Sequence, residues 1–139
     1  DASRLLELVR ELAIYEKSEN AVRTLTVDYE EGITQDYFRA LVARDGNREI
    51  VGMALFYPVF STWNGRTMYL EDFIVSKSHR GLGIGKMLFE RWMEEAKKMG
   101  VNMLKWQVLD WNLDAKRFYL KYETHFYPGW ENGVIYLNK

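Results

Sequence analysis

The stretch that decides the fold is YLEDFIVSKSHRGLGIGKMLFERWMEEA, residues 69–96. Residues 68–75 carry apolar side chains on both faces, as expected for a central strand that is covered on both sides. The glycine-rich run RGLGIG follows at 80–85, and apolar residues then recur at helical spacing from Ile84 until Gly100. The stretch therefore predicts a strand, a tight turn and an amphipathic helix.

The glycine-rich turn has the properties of a phosphate site. A strand that enters a helix through such a turn directs unpaired backbone N–H groups and the positive end of the helix dipole to one point. Gly81, Gly83 and Gly85 lack the Cβ atoms that would hold a pyrophosphate away from these amides, and Arg80 adds positive charge. The spacing is neither that of a P-loop nor that of the dinucleotide-binding fingerprint. We predict a phosphate-binding loop; a tight turn without a ligand is the alternative.

The flanking sequence supplies the other elements of a mixed α/β domain over residues 1–139. Apolar spacing predicts a helix over 3–17, with Asp1 or Ser3 as its N-cap, and a weaker helix around 33–38. The remaining expectations are a hairpin of FRALVAR and EIVGMALFYPVF around the turn DGN, a second turn at STWNGRT, a strand at 101–109, a short helix from about 113 and two strands over 124–138 around PGWENG.

Composition limits the classes of function. The chain has 139 residues with 47% hydrophobic content, enough for one core, and its 19 basic and 20 acidic residues create no overall field for nucleic acid or an anionic membrane. Cysteine is absent, and His79 and His125 lie far apart in sequence, so we expect no metal site. No segment approaches the length of a membrane span and the N-terminus does not resemble a signal peptide. We expect a cytoplasmic protein without membrane or nucleic-acid partners, preceded by a short segment because the sequence starts without Met.

The loop matches the R-x-x-G-x-G pyrophosphate loop of the GNAT superfamily of acetyl-CoA-dependent N-acetyltransferases. Within that superfamily the sequence resembles the diamine (spermidine/spermine) and thialysine acetyltransferases. The stretches that carry the resemblance are ELAIYE (11–16), TWNGRTMYLEDFIV (62–75), RGLGIG (80–85), WNLDAKRFY (111–119) and GWENG (129–133). The resemblance implies a central mixed β-sheet flanked by helices. Two features depart from it. The family's first strand is missing from the chain, and no glycine follows Tyr119 until Gly129, so either this protein differs from the family after Tyr119 or residues are absent from the numbering there.

The resemblance implies acetyl-CoA as co-substrate and assigns residues to it. The implied contacts are Phe73, Ile74, Val75, Arg80, Gly81, Leu82, Gly83, Ile84, Gly85, Lys86, Asn112 and Tyr119. Backbone N–H groups of 73–75 would polarise the thioester carbonyl. The strand residues are equally compatible with a role as ordinary core residues, and Asn112 with a role as a helix N-cap.

Glu71 and Tyr119 are the implied catalytic residues. An alkylamine with a pKa of roughly 10.4 is neutral in only about one molecule in a thousand at pH 7, so a base is needed. Glu71 matches the family's proposed base, acting through water, while Asp72 points to the opposite face if the strand is regular. Tyr119 matches the family's general acid for the departing thiolate. The alternatives are a surface or salt-bridged carboxylate and a core tyrosine. No serine has a basic partner, which favours direct attack in a ternary complex.

The acceptor site is implied by acidic and aromatic residues, which attract ammonium groups. They are Tyr15, Glu16, Trp63, Glu71, Asp72 and Trp130. Glu16 is alternatively a solvated helix residue, and the tryptophans core or interface residues. We expect acetyl transfer to a primary amine of a polyamine, a diamine or a lysine analogue. The alternatives are acetylation of a protein lysine or N-terminus, and a non-catalytic acyl-CoA-binding regulatory domain. The family also implies a homodimer, for which Phe126, Tyr127 and Trp130 offer aromatic surface.

Overall fold

The computed structural model describes residues 1–137, which fall into two compact units, Asp1–Gln107 and a second unit that begins at Val108. The first unit contains α1 (Ala2–Tyr15), α2 (Thr26–Thr34), β1 (Arg39–Arg44), β2 (Ile50–Ser61), β3 (Gly65–Val75), α3 (Ile84–Lys98) and β4 (Met103–Trp106). The second unit contains α4 (Leu113–Tyr119). The fold class is therefore mixed α/β, as predicted.

The four strands form one sheet in the order β1-β2-β3-β4. The pairs β1–β2 and β2–β3 are antiparallel, whereas β3 and β4 run parallel, so the sheet is mixed. The pairing of β3 with β4 ends at Leu70 and Trp106, and β3 continues to Val75 beyond that point. The far half of β3 therefore extends past the end of its parallel neighbour.

A β-bulge interrupts β3 at Glu71. Leu55 of β2 pairs with Asp72 and the next residue, Phe56, pairs with Leu70, so Glu71 has no cross-strand partner. A bulge bends the strand and redirects its side chains, and bulges are frequent beside active sites. Sequence alternation alone did not predict it, and it changes the orientation expected for Glu71 and Asp72.

The sheet carries a core on each face. Leu5, Leu6 and Leu8 of α1 pack with Met53, Leu55 and Ile74 on one face. On the other face Trp92 of α3, which is completely buried, contacts the rings of Phe56, Phe89 and Trp106 at 5.4 to 6.4 Å between centroids. The helical apolar stripe predicted for α3 thus covers the sheet.

The weaker helix lies earlier than the sequence indicated. It was expected around 33–38 but occupies Thr26–Thr34, where the carboxylate of Asp28 accepts the Leu25 N–H at 2.7 Å and fixes the start. The helix ends before Asp36, whose φ of +57° takes the chain into the left-handed region. The predicted helix over 33–38 is therefore wrong, because capping by Asp28 outweighed the apolar spacing.

The turns follow the sequence more closely than the C-terminal region does. Asp45 starts the predicted hairpin turn and accepts the N–H groups of Asn47 and Glu49 at 2.8 and 3.0 Å. At the N-terminus Asp1 occupies the N-cap position but makes no capping bond and instead pairs with Arg44 at 3.0 Å. The two strands predicted over 124–138 do not form within residues 124–137, and residue 138 lies outside the described residues.

Candidate active site

The glycine-rich loop opens α3 through two left-handed residues. Gly81 and Gly83 have φ values of +79° and +82°, a region in which a Cβ is strained, and α3 begins directly after Gly83. A Cβ on Gly85 would make only ordinary contacts of 3.7 and 3.8 Å, so packing alone does not require glycine there. The first turn of α3 carries no acidic side chain, which leaves the positive end of a 15-residue helix unneutralised by its own residues.

Arg80 anchors the loop to the rest of its unit. Its Nε donates to the Val75 carbonyl at 2.9 Å, and its guanidinium lies 5.3 Å from the ring centre of Tyr15 and 4.0 Å from the Glu11 carboxylate. Glu11 also accepts the backbone N–H of Lys77 at 2.7 Å. The predicted cofactor residue Arg80 therefore joins the loop to the end of β3 and to α1.

The other residues predicted to contact acetyl-CoA divide by exposure. Ile74 is buried in the α1 side of the core, whereas Phe73 and Val75 point toward Gly85 of α3. Leu82 and Lys86 are exposed and Ile84 is half-buried. The strand residues are thus core residues as well as candidates for cofactor contact.

The bulge places two carboxylates on the α1 side of the sheet. Asp72 is the cross-strand partner of Leu55, which belongs to the α1-side core, and cross-strand partners share a face. Glu71 reaches the hydroxyl of Tyr57, which donates to Oε1 at 3.3 Å; Tyr57 lies two residues after Leu55 in β2 and so on the same face. A regular strand would direct Glu71 and Asp72 to opposite faces, but the strand is not regular at Glu71, so this condition is not met.

Electrostatics single out Asp72 and Glu16. Burial, the Glu71 charge and the Glu16 charge together raise the pKa of Asp72 from 3.8 to about 6. Burial also raises the pKa of Glu16, which follows the last residue of α1. Among residues 1–137, none of Glu16, Glu71 and Asp72, which form an acidic cluster, takes part in an ion pair.

Two tyrosines beside Glu71 were missed by the sequence analysis. Tyr57 and Tyr69 are cross-strand partners, and their rings lie 5.5 Å apart at 31°. Burial first, and then the Glu71 charge, raise the pKa of Tyr57 to about 12. The signal was available in part, because the predicted turn around Asn64 sets the hairpin register that places Tyr57 opposite Tyr69.

Within the first unit, the structure does not bring every predicted acceptor residue to the bulge. Trp63 is 86% exposed at the tip of the β2–β3 hairpin, roughly 20 Å along β3 from Glu71 at about 3.3 Å per residue. Tyr15 ends α1 immediately before Glu16 and lies against Arg80. Trp130 belongs to the second unit and is 81% exposed.

The second unit holds the two remaining predicted residues. Asn112 is buried and caps α4, because its Oδ1 accepts the Ala115 N–H at 3.2 Å. Tyr119 is the buried last residue of α4, and its carbonyl accepts the Thr124 hydroxyl at 2.6 Å. The alternative reading of Asn112 as an N-cap is correct, and it leaves a cofactor contact by the same residue open to test.

Over residues 1–137 no group of three or more His, Asp or Glu side chains is arranged to hold a metal ion. The helices of these residues include none with the length and apolar character that crossing a membrane requires.

The fold of this chain is shared with a solved acetyltransferase structure. An aminoglycoside acetyltransferase from an uncultured soil sample has a closely similar fold, with a TM-score of 0.78 over 99% of this chain and 91% of that chain, at 19% identity. The chain thus shares the fold of that protein, and the fold is mixed α/β as predicted.

The sequence itself then identifies the family. Residues 3–123 match the acetyltransferase (GNAT) family. The chain is 36% identical over 132 residues to the thialysine N-epsilon-acetyltransferase of Bos taurus, covering 86% of this chain and 75% of that protein. It is 29% identical to the human spermidine/spermine N(1)-acetyltransferase-like protein 1, over 86% of this chain and 18% of that protein. The chain belongs to the GNAT acetyltransferase family and is an N-acetyltransferase, which confirms the predicted resemblance.

Proposed function

We propose that this N-acetyltransferase moves the acetyl group of acetyl-CoA to a primary amine of a small cationic acceptor, a polyamine, a diamine or a lysine analogue. The observation that carries the proposal is the cluster of Glu16, Glu71 and Asp72, which has no ion-pair partner among residues 1–137. Clustered carboxylates without partners suit a ligand that brings its own ammonium groups. Relatives named for thialysine and for spermidine/spermine point the same way.

The loop fits the phosphates of acetyl-CoA. Gly81 and Gly83 are exposed and open, since a Cβ on either would meet nothing within 4 Å, and α3 offers its N-terminal amides beside them. When bound, acetyl-CoA supplies an acetyl group already activated as a thioester. The phosphates would be held by Arg80, Gly81, Leu82, Gly83, Ile84, Gly85 and Lys86, the rest of the molecule by Phe73, Ile74, Val75, Asn112 and Tyr119.

The proposed proton transfers assign one role to each predicted residue. Asp72 and Glu16 bind and orient ammonium groups of the acceptor, and Glu71 takes a proton from the attacking amine, directly or through a water molecule. Tyr119 donates a hydrogen bond to the departing sulfur as its negative charge develops. The acceptor nitrogen attacks directly, so no acyl-enzyme is formed.

Three further features are proposed. The sequence expectation of a single domain over 1–139 and of a cytoplasmic location remain predictions. A homodimer is proposed because the second unit exposes aromatic side chains, Tyr127 at 77% and Trp130 at 81%. Equilibrium sedimentation of the purified protein tests this.

The function is tested by the release of CoA, followed with a thiol-reactive dye. The acceptors are spermidine, spermine, putrescine, lysine, thialysine and a lysine-containing peptide, each with the wild type, Glu71→Gln and Tyr119→Phe. We expect turnover on small amines that falls at least tenfold in each variant, which corresponds to about 1.4 kcal/mol of transition-state stabilisation. Turnover of the peptide alone would instead favour protein acetylation, and CoA binding without any turnover would favour the regulatory domain.

A further inference from the structure

We infer that Tyr57 is a positioning residue for acetyl transfer, whose hydroxyl holds one oxygen of the Glu71 carboxylate so that the other is left to accept the proton of the attacking amine. The inference rests on the proposed function, in which Glu71 is the base. It adds a residue of β2 that the sequence analysis did not single out.

At the bulge the Glu71 side chain is not restrained by a cross-strand neighbour. A residue in regular pairing is flanked by a cross-strand neighbour that restricts its side chain, but Glu71 has none because Leu55 and Phe56 pair with the residues on either side of it. Its side chain is also exposed. An exposed glutamate samples many rotamers, and a base must be held in hydrogen-bond reach of the proton that it removes.

Tyr57 is well placed to supply the restraint. Its hydroxyl lies 3.3 Å from Oε1 of Glu71, longer than the usual O–H···O distance of about 2.7–2.8 Å and still within hydrogen-bond reach. The ring of Tyr57 packs against the ring of its cross-strand partner Tyr69, at 5.5 Å between centroids. A side chain with two rotatable bonds and a packed ring loses little entropy when it holds a carboxylate.

The hydroxyl keeps its proton across the working range. Burial, with the charges of Glu71, Tyr69 and Asp72, raises the pKa of Tyr57 to about 12, so Tyr57 is a donor and not a base near neutral pH. A donor to one carboxylate oxygen leaves the second oxygen as the acceptor, which is the arrangement that a general base requires.

Tyr69 provides a matched control. Its hydroxyl also feels the charges of Glu71 and Asp72, but within residues 1–137 it forms no hydrogen bond to Glu71. Tyr69→Phe therefore removes a hydroxyl from the same ring pair without removing the proposed contact. If Tyr57 served only to pack the sheet, the two substitutions would have similar effects.

The test is a double-mutant cycle in the full chain with spermidine or thialysine as acceptor. We expect Tyr57→Phe to lower kcat about tenfold while the KM for acetyl-CoA stays unchanged. Tyr69→Phe should change kcat less than about twofold. In the Glu71→Gln background, Tyr57→Phe should have no further effect on kcat.

The outcomes separate the inference from the proposed function. Full activity of Tyr57→Phe beside an impaired Glu71→Gln overturns the inference alone, as do effects of the two substitutions that multiply. Full activity of Glu71→Gln overturns the role of Glu71 and the inference with it. Absence of turnover by the wild type on every small amine overturns the proposed function, on which the inference rests.

Discussion

Replacing Asp72 with asparagine is expected to stabilise the protein near neutral pH while weakening its use of cationic acceptors. Asp72 is partly buried beside the charges of Glu71 and Glu16, and its pKa is raised from 3.8 to about 6. Ionisation of this carboxyl in the folded state is therefore unfavourable. Asparagine keeps the shape and removes the charge.

The magnitude follows from the raised pKa. Each pKa unit corresponds to about 1.4 kcal/mol, so a rise from 3.8 to about 6 sets an upper limit of roughly 3 kcal/mol on the destabilisation. Residual solvent access lowers this, and we expect a gain of about 1–3 kcal/mol for Asp72→Asn at pH 7.5.

The pH dependence has a definite sign. Between about pH 4 and 6 the folded state binds more protons at Asp72 than the unfolded state, so its contribution to stability falls as the pH rises through this window and is constant above it. Asp72→Asn lacks this fall. The advantage of the variant should therefore be largest at pH 7.5 and fall to roughly a third of that value at pH 4.5.

The assay is urea unfolding of the wild type and Asp72→Asn from pH 4.5 to 7.5, with activity toward spermidine measured in parallel. Asp36→Asn serves as the control, since the ion pair of Asp36 with Arg39 is exposed to solvent. A variant that is no more stable than the wild type at pH 7.5, or whose advantage does not change with pH, would refute the reasoning. Unchanged KM for the amine would refute the role of Asp72 in acceptor binding.

Three other substitutions test the fold that supports the site. Gly83 has a φ of +82°, so Gly83→Ala should lower the free energy of unfolding by about 1–2 kcal/mol and weaken CoA binding in a calorimetric titration. Gly46→Ala is the control and should do neither, because a Cβ on Gly46 would meet no atom within 4 Å and its φ is not left-handed. Trp92→Ala, which empties a completely buried site, should cost about 3–5 kcal/mol in urea unfolding; a loss below 1 kcal/mol would mean that the α3 side of the core is misplaced. Asn112→Ala removes the bond to the Ala115 N–H and should cost about 1 kcal/mol, seen as faster hydrogen exchange in α4, with Asn112→Ser restoring most of the protection.

Features with a strong local signal were predictable from the sequence. The helix over 3–17 corresponds to α1, and the loop and helix after β3 follow from glycines at 81 and 83 and from apolar spacing in α3. The hairpin turn at Asp45 follows from its turn residues. In each case a few neighbouring residues determine the backbone, so one sequence carries the whole signal.

Features that depend on distant residues were not predictable. The bulge at Glu71 arises from the pairing of β2 with β3. It places on one face two adjacent carboxylates that a regular strand would direct to opposite faces. The raised pKa of Asp72 and the contact between Tyr57 and Glu71 depend on the side-chain orientations at that bulge. The start of α2 is an exception, because the carboxylate of Asp28 that caps it is a local signal that the predicted bounds of this helix overlooked. The strands expected over 124–138 rested on β propensity, which depends on a partner strand for its realisation.

The central claim, transfer of acetyl to a small cationic amine, is tested most directly by competition between acceptors. One reaction would contain isotopically labelled acetyl-CoA with spermidine, thialysine, lysine and a lysine-containing peptide at equal concentrations, and the label in each acceptor would be measured by mass spectrometry. We predict that a small amine with at least two ammonium groups takes most of the label, and that Asp72→Asn reduces this preference. Label found mainly in the peptide, or in none of the acceptors, would contradict the claim.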